Sequence, residues 1–96
     1  MLKELNPILH AQLRLAIMSI LISAEEADFT FLKEKTGGTS GNMSVQLDKL
    51  SEVGYIEIEK KFVGKRPKTL CRITEVGIAA FEEYFANLQE YLPQMK

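Results

Sequence analysis

The sequence predicts a mainly α fold with a small β-hairpin: three helices, a two-stranded hairpin and a long C-terminal helix, in one domain over residues 1–96. Three observations carry this expectation. Apolar residues recur at helical spacing around 8–22, 43–50 and 76–92. Between the last two stretches, Ile56 and Ile58 alternate with charged residues, the period of a half-buried strand. Glycines and prolines fall at the joints, at Pro7, Gly37-Gly38, Gly54, Gly64, Pro67 and Pro93. A chain of 96 residues is long enough for one compact core and too short for two.

The first helix is expected from Pro7 or His10 to Ala24, with Asn6 as its cap and Pro7 suited to the first helical position. Its apolar residues form two stripes. Leu13, Ala16, Ile17, Ile20 and Leu21 make one, and Ile8, Leu15, Met18 and Ile22 the other. A helix apolar on most of its circumference is buried on more than one side, and the second side could face another copy of the chain. Glu25 to Asp28 reads as a polar break, after which Thr30 can cap a short helix from Phe31 to Thr36, closed by Gly37-Gly38. A third helix is expected from Thr39 or Ser40 to Val53, with Met43, Leu47 and Leu50 on one buried face and Gly54 at its end. Strands at Tyr55–Lys60 and Thr69–Thr74 flank an exposed loop, Gly64 to Lys68. Cys71 and Ile73 share one face of the second strand, Leu70 and Arg72 the other. The last helix runs from Glu75 to about Leu92 and carries Phe81, Tyr84, Phe85, Leu88 and Tyr91.

The net charge of −1 conceals an uneven distribution. Residues 1–59 hold five basic and nine acidic side chains, and residues 73–96 one basic and four acidic. Residues 60–72 hold six basic side chains (Lys60, Lys61, Lys65, Arg66, Lys68 and Arg72) and no acid. Such asymmetry suits a local phosphate-binding element, although solvated lysines on a hairpin edge would read the same way. The apolar stretch Leu13–Ala24 is too short to span a bilayer, and the acid near the N-terminus and the missing small-residue cleavage site mean that no secretory signal is expected. A lone cysteine fits a reducing cytoplasm. No phosphate-binding glycine loop is present, and the only histidine, His10, sits in the first helix with no nucleophile matched to it, so catalysis is not expected. Neither a metal nor another cofactor is expected.

Two short helices joined by a tight glycine turn form a helix-turn-helix over about 30–53, whose second helix enters the DNA major groove. A basic hairpin over about 55–74 placed directly after it is the wing. The terminal helices, about 7–24 and 75–92, are left for core and dimerisation. The fold is then a winged helix-turn-helix. Turning Met43, Leu47 and Leu50 inward turns Gly41, Val45, Asp48, Lys49 and Glu52 outward, with Asn42, Ser44 and Gln46 on the flanks. Asn and Gln can pair bidentately with adenine, and valine methyls can touch a thymine methyl. Asp48 and Glu52 would repel phosphate, and they lie toward the helix end that points out of the groove.

The segments Phe29–Lys33, Gly41–Leu50, Gly54–Ile56, Val63–Thr69 and Ile73–Gly77 resemble the MarR/ArsR-type winged-helix transcription regulators, in a compact single-domain form. The resemblance covers Leu5 to about Leu88. It implies a homodimer built from the terminal helices, each protomer laying its third helix into one half-site of an inverted repeat. The residues expected on DNA are Thr30, Thr39, Ser40, Gly41, Asn42, Ser44, Val45, Gln46 and Lys49 of the helix-turn-helix, and Lys61, Lys65, Arg66, Lys68 and Arg72 of the wing. The residues expected between protomers are Leu5, Ile8, Leu9, Leu15, Met18 and Ile22 with Phe81, Tyr84, Phe85, Leu88, Tyr91 and Leu92. Metal-sensing relatives carry clustered cysteines and histidines, whereas Cys71 and His10 stand alone. Larger relatives hold a small effector, for which this chain has little spare sequence.

Cys71 is expected as a small buried strand residue rather than a redox sensor, and His10 as a surface or interface residue. Two functions follow from different classes: sequence-specific binding of double-stranded DNA in transcription control, or a winged-helix protein-interaction module whose basic hairpin meets an acidic partner.

Overall fold

A computed structural model describes residues 1–93 of the protein; residues 94–96 of the expected domain lie outside them. Four helices and three strands follow in the order α1 (Gln12–Ala24), β1 (Glu26–Asp28), α2 (Phe29–Thr36), α3 (Ser40–Glu52), β2 (Ile56–Val63), β3 (Arg66–Ile73) and α4 (Glu75–Gln89). The strands form one antiparallel sheet in the order β1-β3-β2.

The core draws on every layer. Ile17, Met18 and Leu21 of α1, Leu32 of α2, and Met43, Leu47 and Leu50 of α3 pack with Ile56, Cys71 and Tyr84 from the hairpin and α4. The three α3 residues are those whose spacing predicted a shared buried face. No buried side-chain nitrogen or oxygen lacks a hydrogen-bond partner among the described residues.

Several elements depart from expectation. The first helix begins at Gln12, because Ala11 is extended (φ −149°). Asn6 caps a separate turn instead: its Oδ1 accepts from the Ile8 and Leu9 amides, and its carbonyl accepts from the His10 amide. That turn swings Leu9 fully into the core. The polar break is β1, which pairs Glu26, Ala27 and Asp28 with Arg72, Cys71 and Leu70. Glu-Ala-Asp has no strand propensity of its own; the free edge of β3 supplies the partner. Asp28, not Thr30, caps α2, its carboxylate accepting from the Phe31 amide at 2.8 Å, so the helix starts at Phe29. The hairpin is longer and its turn shorter than expected: Gly64-Lys65 alone joins the strands, while Arg66, Pro67 and Lys68 belong to β3. Gly64 supplies the positive φ (65°) that a two-residue hairpin turn needs at its first position. Pro67 is tolerated because β1 covers only Leu70 to Arg72, leaving β3 an edge strand farther out.

The junction of hairpin and α4 is tight. Thr74 caps α4 by accepting from the Gly77 amide, donates its hydroxyl hydrogen to the Gly54 carbonyl, and its own amide donates to the Tyr55 carbonyl. A Cβ on Gly77 would lie 2.1 Å from that Tyr55 carbonyl oxygen, so only glycine lets α4 come this close. α4 ends at Gln89, short of Leu92; the amides of Glu90, Tyr91 and Leu92 turn to carbonyls three residues back, a tightened last turn.

Candidate nucleic-acid interface

Helix α3 is aimed outward by its own amphipathicity. Thr39 caps it, accepting from the Asn42 amide at 3.2 Å. With Met43, Leu47 and Leu50 buried, Thr39, Ser40, Gly41, Asn42, Ser44, Val45 and Lys49 are exposed along its outer side. No atom lies within 4 Å of where a Gly41 side chain would begin, so another molecule can approach the backbone there closely. Asp48 and Glu52 are also exposed, toward the C-terminal end. Thr30 is exposed in the first turn of α2 without its expected capping role.

Gln46 differs from its neighbours because it is half-buried and held. Its side-chain oxygen accepts from Arg14 Nη1, and its side-chain nitrogen donates to Asn42 Oδ1 at 2.9 Å. Arg14 also donates through Nε to the Ile8 carbonyl at 2.6 Å and through Nη2 to the Pro7 carbonyl at 3.4 Å. The break before α1 deprives these carbonyls of helical partners, and the guanidinium supplies replacements. Reading the sequence for function passed over Arg14. The available signal is that it is the only charge between Gln12 and Ala24, in a helix otherwise apolar but for serines and a glutamine.

The hairpin divides into two electrostatic halves. Every residue from Glu59 to Pro67 is exposed, so the outer half contributes nothing to the buried core. There Lys60, Lys61, Lys65 and Arg66 form no salt bridge among the described residues. Nearer the core the basic residues are engaged. Arg72 donates from Nε to Glu26 on β1 at 2.8 Å and from Nη2 to Glu59 on β2 at 2.9 Å, bridging all three strands. These bonds raise the Arg72 pKa further, and the bond and charge of Arg72, with Lys61 behind them, hold the Glu59 carboxyl below its ordinary value. Lys68 lies 3.8 Å from Asp28. Arg72 and Lys68, both expected on DNA, thus have acids that β1 and β2 bring alongside. The six-cation cluster of the sequence contributes four unpaired cations.

The residues expected between protomers also sort into two groups. Leu9, Met18 and Tyr84 are at most 3% exposed and belong to the protomer's own core, a correction that follows from the turn at Asn6 and from α4 crossing α1. Tyr84 is further held by a 2.9 Å hydrogen bond between its hydroxyl and His10 Nδ1. Leu5, Ile8, Leu15, Ile22, Phe81 and Leu88 are half-buried, while Phe85, Tyr91 and Leu92 are exposed. Cys71 is fully buried, and burial, with the charge of Asp28, pushes its thiol up to about 11. Among the described residues no three potential metal ligands cluster, and no helix is long and apolar enough to cross a membrane.

Residues 13–92 match the family described as winged helix DNA-binding domain. An uncharacterised protein of Methanocaldococcus jannaschii is 38% identical over 81 residues, 84% of this chain and 88% of that protein. A transcriptional regulator homologue from Pyrococcus horikoshii superposes with a TM-score of 0.81 at 26% identity, over 88% of this chain and 83% of that one. AbfR solved bound to DNA has a TM-score of 0.76 at 18% identity, over 84% of this chain and 56% of its own. A mutant of MarR from E. coli has 0.71 at 20%, over 81% and 57%. The chain belongs to the family of winged-helix DNA-binding domains, a non-catalytic family, and its fold is that of the MarR-type regulators.

Proposed function

We propose that the protein is a sequence-specific transcription regulator that binds double-stranded DNA as a homodimer, with α3 in the major groove and the hairpin tip on the adjoining backbone or minor groove. The observation that carries this is the pairing of two bare elements. The small and amide-bearing outer side of α3, from Ser40 to Val45, is exposed, and the hairpin that follows it carries Lys60, Lys61, Lys65 and Arg66 without acidic partners. Small residues allow approach to base edges, and unpaired cations replace the counterions of phosphates. AbfR, which shares this fold, was solved bound to DNA, and the Pyrococcus horikoshii protein is described as a transcriptional regulator homologue.

The homodimer rests on the apolar surface of the terminal segments, where Phe85 and Leu92 are more than half exposed beside Leu5, Phe81 and Leu88. A two-fold pair would read an inverted repeat whose half-sites lie about 34 Å apart, one turn of the duplex.

Titration of a randomised duplex pool at two salt concentrations, followed by sequencing of the bound fraction, tests both parts. Salt-dependent binding that enriches an inverted repeat is the expected result. Enrichment of a single half-site would remove the dimer, and binding without enrichment would remove sequence specificity. Absence of binding at low salt would favour the protein-interaction module, for which the exposed Asp48 and Glu52 on α3 speak.

A further inference from the structure

We infer that Arg14 is a positioning residue that sets the hydrogen-bond polarity of the α3 reading edge, making Asn42 a donor that selects guanine over adenine. The inference rests on the DNA-binding function proposed above. A guanidinium can only donate. Because Arg14 Nη1 meets the Gln46 side chain, the group facing it is the oxygen, and the other end of that amide is the nitrogen. The nitrogen donates to Asn42 across one helical turn, which fixes the Asn42 oxygen as the acceptor facing Gln46. What Asn42 has left for the groove is its Nδ2, a pair of donors, on an exposed side chain at the N-terminal end of α3.

An unconstrained asparagine offers adenine one acceptor and one donor together, matching N6 and N7. An asparagine whose oxygen is turned along the helix offers donors only. Guanine, with acceptors at both O6 and N7, is the base whose major-groove edge answers that pattern. Arg14 is anchored by the Pro7 and Ile8 carbonyls as well as by Gln46, so the relay is oriented before DNA arrives. The residue type alone allows pairing with adenine; the relay turns the position toward guanine.

The variant that isolates the relay is Gln46→Glu. A glutamate keeps the contact with Arg14, and with it the local packing, but has no hydrogen to give Asn42. Asn42 then donates to the new carboxylate and turns its oxygen outward. Pool selection with the full chain should show wild type preferring guanine to adenine at one position of each half-site, by roughly tenfold or more, the discrimination one good base contact provides. Gln46→Glu should shift that position toward adenine or cytosine, which present an amino donor. Arg14→Met, checked for a cooperative thermal transition, should reduce the guanine preference to within about threefold, because an untethered amide can turn either way. Its salt slope should stay unchanged. A slope that falls by roughly 0.9 with uniform weakening would mean that Arg14 contacts phosphate, overturning the inference. An unaltered base preference in Gln46→Glu would also overturn it while leaving the DNA-binding function standing. A wild type that enriches no motif would remove both.

Discussion

The two halves of the hairpin carry the same kinds of charge and use them differently. At the base, Arg72 spans Glu26 and Glu59, Lys68 lies near Asp28, and the backbone is locked to α4 through Thr74, Tyr55 and Gly77. At the tip, Lys61, Lys65 and Arg66 face solvent and form no salt bridge among the described residues. A cation next to a carboxylate loses little by staying there and has less to gain from a phosphate, whereas an unpaired one releases counterions when it binds DNA. The base therefore builds the fold, and the tip remains available for recognition.

Substitutions can break this division or sharpen it. The largest effect is expected at the base, from Gly77→Ala. Its new Cβ meets a backbone carbonyl that cannot give way as a flexible side chain would, so unfolding in urea should show a loss of about 3 kcal/mol. A loss under about 1 kcal/mol would mean that α4 shifts freely against the hairpin.

Next comes Cys71, which the base buries between β1 and β2. With its pKa pushed up to about 11, alkylation at pH 8 in the native protein should be roughly a hundredfold slower than for an ordinary exposed thiol, and normal in denaturant. Fast native labelling would show that β1 opens readily.

At the tip, replacing Lys61, Lys65 and Arg66 together by alanine should leave the urea midpoint within the error of wild type. The same triple change should flatten the slope of log affinity against log salt by about 2.7, on the basis of about 0.9 per phosphate contact. A lowered midpoint with an unchanged slope would invert the assignment of the two halves. The smallest effect on DNA is expected from Arg72→Ala. The salt slope should not move, and a drop of about 0.9 would show that Arg72 leaves its two carboxylates for a phosphate.

Much of this molecule is legible along the chain because its signals are local. The i, i+4, i+7 spacing of Met43, Leu47 and Leu50, a cap at Thr39 or Ser40, of which the structure uses Thr39, and the alternation around Ile56 and Ile58 each depend on neighbours within two turns or a few strand residues. The exposed side of α3 follows from the same spacing. What escaped is non-local. Glu25 to Asp28 carries no strand pattern and becomes β1 only because β3 lies beside it. Leu9 and Tyr84 are expected between protomers and instead lie in the core; the difference depends on a helix starting at Gln12 rather than at Pro7 or His10.

By itself, then, the sequence determined the helix-turn-helix, the hairpin and the basic character of the segment after α3, all properties set by periodicity, capping and composition over short spans. Only the tertiary structure decided which of those charges remain available, which apolar residues remain at the surface, and which way the Asn42 amide faces. Each of these depends on partners distant in sequence, Glu26 for Arg72, Tyr84 for His10, Arg14 for Gln46, and such partners meet only once the chain has closed around its core.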